Sequence, residues 1–170
     1  MGTVKWGILG AAKIAREQVI PAMKKSKNTE LYAIASREIS KAEDFCHKFS
    51  ITKAYDDYNK LISDPNIDAV YIPLPNHLHV PFSINALKAG KHVLCEKPIS
   101  ITSDEIFELI EVQKVTKKIV SEAFMVRFHP QWTETKKLIQ DGEIGKLNAI
   151  QGLFNYFNTD PNNIRNDVRI

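Results

Sequence analysis

Apolar positions along this 170-residue chain follow two alternating patterns: short unbroken runs, and longer stretches spaced three and four residues apart. Val4-Lys5-Trp6-Gly7-Ile8-Leu9 is a run without helical spacing, and Ala15, Val19, Ala22 and Met23 then recur at helical spacing. Leu31 to Ala35 predicts a second strand, and Ala42, Phe45, Cys46 and Phe49 mark the face of a second helix. Asp57 to Ile62 predicts a short helix. Ile67 to Ile72 is nearly continuous and rich in β-branched and aromatic residues, as a buried strand would be. Pro81 and Gly90 bracket the next helix, and His92 to Cys95 is the next strand. Thr102-Ser103-Asp104-Glu105 has the form of a capping box. It opens a helix whose predicted face is Ile106, Leu109, Ile110 and Gln113, before a short strand over Lys118 to Glu122.

Strands alternating with helices predict a parallel sheet covered on both faces. The fold class is α/β, a Rossmann-type doubly wound domain over residues 1–124. After residue 124 the pattern changes. His129 to Asp141 predicts a helix with Trp132, Thr135, Leu138 and Ile139 facing inward, stopped by Gly142. Leu147 to Phe157 then alternates as one strand of an antiparallel sheet would, and residues 158–170 are polar. A lone strand cannot bury its face. Residues 125–170 are therefore expected to begin a second, incomplete C-terminal α+β domain of a longer protein.

Composition changes this picture little. A net charge of +3 is too small to argue for nucleic acid, and no apolar run approaches membrane-spanning length. No signal peptide is expected from its opening residues. Cys46 and Cys95 have no metal-ligand spacing, so reduced thiols, no metal and a cytoplasmic location are expected.

Three places carry candidate chemistry. Gly10-Ala11-Ala12-Lys13-Ile14-Ala15 lies between the first strand and helix, the context of a dinucleotide fingerprint. Gly10 fills the turn position and Ala15 the helix-packing position. Ala12 stands where a second glycine would let the backbone approach a pyrophosphate. Ser36-Arg37 ends the second strand, where an acid would bind the ribose 2′-OH of NAD and a cation the 2′-phosphate of NADP. Arg37 favours NADP, with NAD as the alternative through Glu38; a bland role for Ser36 is to cap the next helix. Glu96-Lys97-Pro98 ends a buried strand, the end at which open α/β sheets bind ligands.

Read in order with Pro73-Leu74-Pro75-Asn76-His77-Leu78-His79 and Ala89 to Pro98, these segments resemble the Gfo/Idh/MocA oxidoreductases over essentially the whole chain. Arg127-Phe128-His129-Pro130 and Asn163-Ile164-Arg165 make it most similar to the xylose and dihydrodiol dehydrogenase branch. The resemblance implies hydride transfer between nicotinamide and a hydroxyl-bearing carbon of a sugar, polyol or cyclic diol. Lys97 would be the catalytic base, and Glu96 a ribose contact or an orienter of Lys97. Gly10, Ala12, Lys13, Ile14, Ser36, Arg37, Pro75, Asn76 and His79 would line the cofactor, with helix capping as the bland role for Asn76. Arg127 and Arg165 are candidate substrate contacts. The resemblance also implies a cis Lys97–Pro98 peptide, a small-molecule substrate, and a full-length homo-oligomer, dimer or tetramer. A cofactor-sensing regulator on the same fold is the alternative.

Overall fold

The computed structural model describes residues 2–155, 157 and 159. They divide into two units, Met1–Met125 and Val126–Ile170.

The first unit is a six-stranded sheet: β1 (Val4–Leu9), β2 (Thr29–Ala35), β3 (Lys53–Tyr55), β4 (Ala69–Ile72), β5 (His92–Cys95) and β6 (Val120–Glu122). Every neighbouring pair is parallel and the spatial order is β3-β2-β1-β4-β5-β6. That is the doubly wound order, in which the chain reverses direction across the sheet between β1 and β4. Helices α1 (Ile20–Lys25) and α2 (Ile39–Phe49) cover one face; α3 (Tyr58–Ile62), α4 (His79–Lys88) and α5 (Ser103–Thr116) cover the other.

The alternation of side chains along each strand builds the two cores. Leu9, Val70, Ile72, Val93 and Cys95 enter the layer under α3, α4 and α5, while Ile8, Leu31, Ile34 and Tyr71 enter the layer under α1 and α2. Gly7 sits mid-strand because a Cβ there would come within 2.5 Å of Leu61 Cδ2 on α3. Before α1 the helix widens into a π-turn over Ala15–Val19, with Ile20 N–H bonded to Ala15 O. Pro21 explains it: its ring has no N–H and crowds the carbonyl four residues back.

The structure corrects several sequence expectations. β3 was not foreseen, β2 begins two residues earlier, and α4 starts at His79, so Pro81 lies inside the first turn. The capping box forms as predicted, Thr102 accepting from Glu105 N–H and Glu105 reaching back. The buried side of α5, however, is Ile106, Leu109 and Val112, with Ile110 exposed.

In the second unit α6 (Pro130–Gln140) is capped by His129, whose Nδ1 accepts from Gln131 N–H. Of its expected inward face, Trp132, Thr135 and Leu138 are exposed, Trp132 to 51%, and Ile139 is half-buried. An amphipathic face is buried only where another apolar surface meets it. Among the described residues of this unit no second α-helix or sheet is present. Residues 147–155 form no strand, and Leu153 is exposed.

Candidate functional site

A cleft of about 210 Å³ opens at the carboxyl ends of β1, β2 and β4. It is lined by the turn after β1 (Gly10, Ala11, Ala12), the segment after β2 (Ser36, Arg37, Glu38, with Lys41), Tyr58, and Pro73-Leu74-Pro75 after β4. This is the switch point of the sheet, where open α/β folds take ligands.

Gly10 makes the turn with φ +105°, a backbone region that side chains avoid, and its N–H is bonded to Ala35 O at 2.8 Å. A Cβ there would approach Leu74 Cδ2 to 3.0 Å, so the glycine also keeps the cleft floor open. The first helix begins directly after. Its earliest bond of this kind is Arg16 N–H to Ala12 O, so Lys13 and Ile14 N–H precede the first intrahelical donor. Both of those side chains are exposed.

On the second wall Ser36 is buried and its hydroxyl is used locally, accepting from Glu38 N–H at 3.3 Å ahead of α2. Arg37 is exposed and takes part in no ion pair among the described residues. Lys41 pairs with Glu38 at 2.7 Å. Sequence reading missed Lys41 and Tyr58 as cleft residues. The Glu38–Lys41 spacing of three on one helix was the available signal.

On the third wall Asn76 is half-buried in a 3₁₀ turn, Asn76–Leu78. Its side-chain amide makes no hydrogen bond among the described residues, so it does not cap α4. His79 differs from expectation. It is completely buried, with Nε2 2.7 Å from Leu74 O and Nδ1 2.7 Å from Pro98 O. Both ring nitrogens are occupied by backbone carbonyls, which leaves neither for a cofactor.

Glu96-Lys97-Pro98 follows β5, beside β4 at the same end of the sheet, and the Lys97–Pro98 peptide is cis. Glu96 Oε1 accepts from the Tyr71 hydroxyl at 2.7 Å, and Oε2 from Lys97 N–H at 3.3 Å. Burial, and then the adjacent Glu96 carboxylate, push the Tyr71 phenol well above its ordinary range, so it remains a donor. Lys97 itself is exposed, without the desolvation a base at a closed site would have. Arg127 is exposed in a 3₁₀ turn, Met125–Phe128, and Arg165 lies outside the described residues. Neither cysteine is activated: Cys95 is buried, its thiol pushed up to about 12 by burial, and Cys46 is likewise raised by burial and Glu43. Among the described residues no helix is long and apolar enough to cross a membrane.

The Gly10 turn, the N–H donors at a helix start and an exposed guanidinium without an ion pair among the described residues fit a dinucleotide. Comparison with known proteins agrees. Residues 4–124 match the Gfo/Idh/MocA model described as an oxidoreductase family with an NAD-binding Rossmann fold. An uncharacterized oxidoreductase of Rhizobium meliloti is 47% identical over all of this chain and 51% of its own length. A D-xylose 1-dehydrogenase (NADP(+)) of Haloferax volcanii is 40% identical over 89% of this chain and 46% of its own. A 3-ketoreductase from Actinomadura kijaniata, solved with TDP-benzene and NADP, superposes with a TM-score of 0.79 at 34% identity, covering 85% of this chain and 44% of that one. The chain thus spans about half the length of the curated relatives it matches.

Proposed function

This chain belongs to the Gfo/Idh/MocA oxidoreductase family, and from that premise we propose that the full-length protein is an NADP-dependent oxidoreductase. It acts on a hydroxyl-bearing carbon of a sugar, polyol or cyclic diol. The observation that carries this reading is a single cleft, at the sheet's switch point, that gathers Gly10, Ser36, Arg37 and Pro75 from three strand ends. Similarity to a xylose dehydrogenase named for NADP supports both the cofactor and the substrate class.

Bound NADP would supply the hydride acceptor or donor. The chain's own groups do the rest. The N–H groups of Lys13 and Ile14 at the helix start attract the pyrophosphate, aided by the helix dipole. Arg37, in no ion pair among the described residues, meets the 2′-phosphate with charge-assisted hydrogen bonds. Lys41 neutralises Glu38, a carboxylate that alone would repel that phosphate. Asn76 has an amide free to bond on the wall after β4. In its neutral form Lys97 takes the substrate hydroxyl proton at Nζ, and in its charged form it returns it. Arg127 and Arg165 are substrate contacts in the complete protein. The residues beyond this half close the substrate pocket and mediate homo-oligomer formation.

The test is titration of the full-length protein with NADPH and NADH, followed by turnover on a panel of sugars, polyols and cyclic diols. NADPH binding with turnover of a panel member upholds the proposal. NADPH binding without turnover makes the protein a cofactor sensor.

A further inference from the structure

We propose that Tyr71 is a positioning residue for Lys97: its buried hydroxyl holds the Glu96 carboxylate off the neighbouring ammonium. This rests on the reading of Lys97 as the base. Glu96 and Lys97 are adjacent, and the carboxylate already lies against Lys97's own backbone N–H. Were the carboxylate to turn to the neighbouring amine, an ion pair would stabilise the charged form. Yet none of the ion pairs among the described residues involves Lys97. The reason is that both carboxylate oxygens are engaged, Oε1 by Tyr71 and Oε2 by the backbone.

Tyr71 is suited to the task by its place in the fold. It is the third residue of β4, paired in register with Leu94 of β5, and its ring is wholly buried in the layer under α1 and α2. Packing fixes the ring, so the hydroxyl is presented at one point. A charge-assisted bond from a fixed donor outcompetes a solvent-exposed ion pair, which is worth little and must order two long side chains. The other ionisable groups bonded to or adjoining residues 96–99 are already committed or inert. Glu122 of β6 accepts from Ile99 N–H at 3.0 Å, His79 of α4 is held by Leu74 O and Pro98 O, and Cys95 is a buried thiol. Glu96 is the carboxylate beside Lys97, and Tyr71 is the one side chain that donates to it among the described residues.

Tyr71→Phe keeps the ring and removes the hydroxyl. In the full-length protein without cofactor, the pH dependence of Lys97 acetylation, read by mass spectrometry, reports how readily the amine loses its proton. The expected result is that Tyr71→Phe raises the pH of half-maximal labelling by about 0.5, the scale of an exposed ion pair. Adding Glu96→Gln to Tyr71→Phe should abolish that rise, and the melting temperature of Tyr71→Phe should stay within a few degrees of wild type. An unmoved labelling curve in Tyr71→Phe, or a rise that persists with Glu96→Gln, overturns the proposal. Because this readout needs neither cofactor nor turnover, failure of the assigned reaction shows separately, as a Lys97→Met variant with normal kinetics.

Discussion

The imidazole of His79 reaches from the first turn of α4 to the carbonyl of Pro98, 2.7 Å away, and so joins the loop after β4 to the loop after β5. The other ring nitrogen lies 2.7 Å from Leu74 O in the first of those loops. One side chain thereby fixes the spacing between the two segments that carry Asn76 and Lys97. A neutral ring donates through one nitrogen, and only the doubly protonated ring donates through both. Replacing His79 by Ala leaves at least one buried carbonyl without its donor and opens a cavity. We expect a loss on the order of 2–4 kcal/mol in chemical denaturation. His79→Gln, which retains a donor, should lose less. Equal stability of wild type and His79→Ala would contradict the clamp.

Cofactor choice should follow the wall formed by Arg37, Glu38 and Lys41. Fluorescence titration should give NADPH an affinity about tenfold or more above NADH, one charge-assisted phosphate contact being of that size. Arg37→Ala should remove most of the preference. Glu38→Ala should increase it, because the carboxylate that opposes a phosphate is gone. An unchanged ratio in Arg37→Ala would place the 2′-phosphate elsewhere.

The fold was legible because each strand end carries a local signal: apolar runs, the glycine turn at Gly10, the Thr102 capping box. β3 was not, since Lys53-Ala54-Tyr55 is a three-residue edge strand specified by its pairing with β2 rather than by its own pattern. The candidate site was legible where position along the chain sets position in the cleft, as for Gly10, Ser36 and Arg37. It was illegible where a contact joins distant residues. The Tyr71–Glu96 bond spans 25 positions, and Tyr71 in sequence is one more apolar strand residue. His79 shows the converse. A histidine after a strand can turn to the cleft or to the core, and only packing decides. Trp132 has helical spacing, but spacing states what a face can bury, not what covers it.

Beside β3, Asp64 anchors a polar cluster that should set the acid limit of stability. It is buried, and burial alone would push its carboxyl up. Hydrogen bonds from the Tyr55 hydroxyl, from the backbone and side chain of Asn66 and from Lys53 outweigh this and hold it well below the usual carboxylate range. A carboxyl with a lowered pKa in the folded state contributes stability that is complete above its unfolded value, about 3.9, and is lost as pH falls below it. Wild type should therefore lose stability steeply below about pH 4. Asp64→Asn should be less stable at pH 7 and show a shallower acid dependence. Parallel unfolding curves for the two proteins from pH 7 to pH 3 would refute the role.

Lys97 provides the decisive test of chemistry, because its surroundings separate binding from proton transfer. Among the described residues the cleft that would hold the adenine end of the cofactor is built from Gly10 to Ala12, Ser36 to Glu38, Lys41, Tyr58 and Pro73 to Pro75, and Lys97 is not part of that lining. Its exposed amine stands at the end of the next strand, held apart from Glu96. A methionine keeps the unbranched aliphatic stem and removes the proton acceptor. Lys97→Met in the full-length protein should therefore bind NADPH within a few fold of wild type. Its kcat should fall by about 10²-fold or more, the scale of a lost general acid–base group. If kcat survives, the proton is taken by another group or by water. If NADPH binding is lost along with kcat, Lys97 holds the cofactor rather than the proton. A fall in kcat at preserved affinity is the outcome that assigns the base.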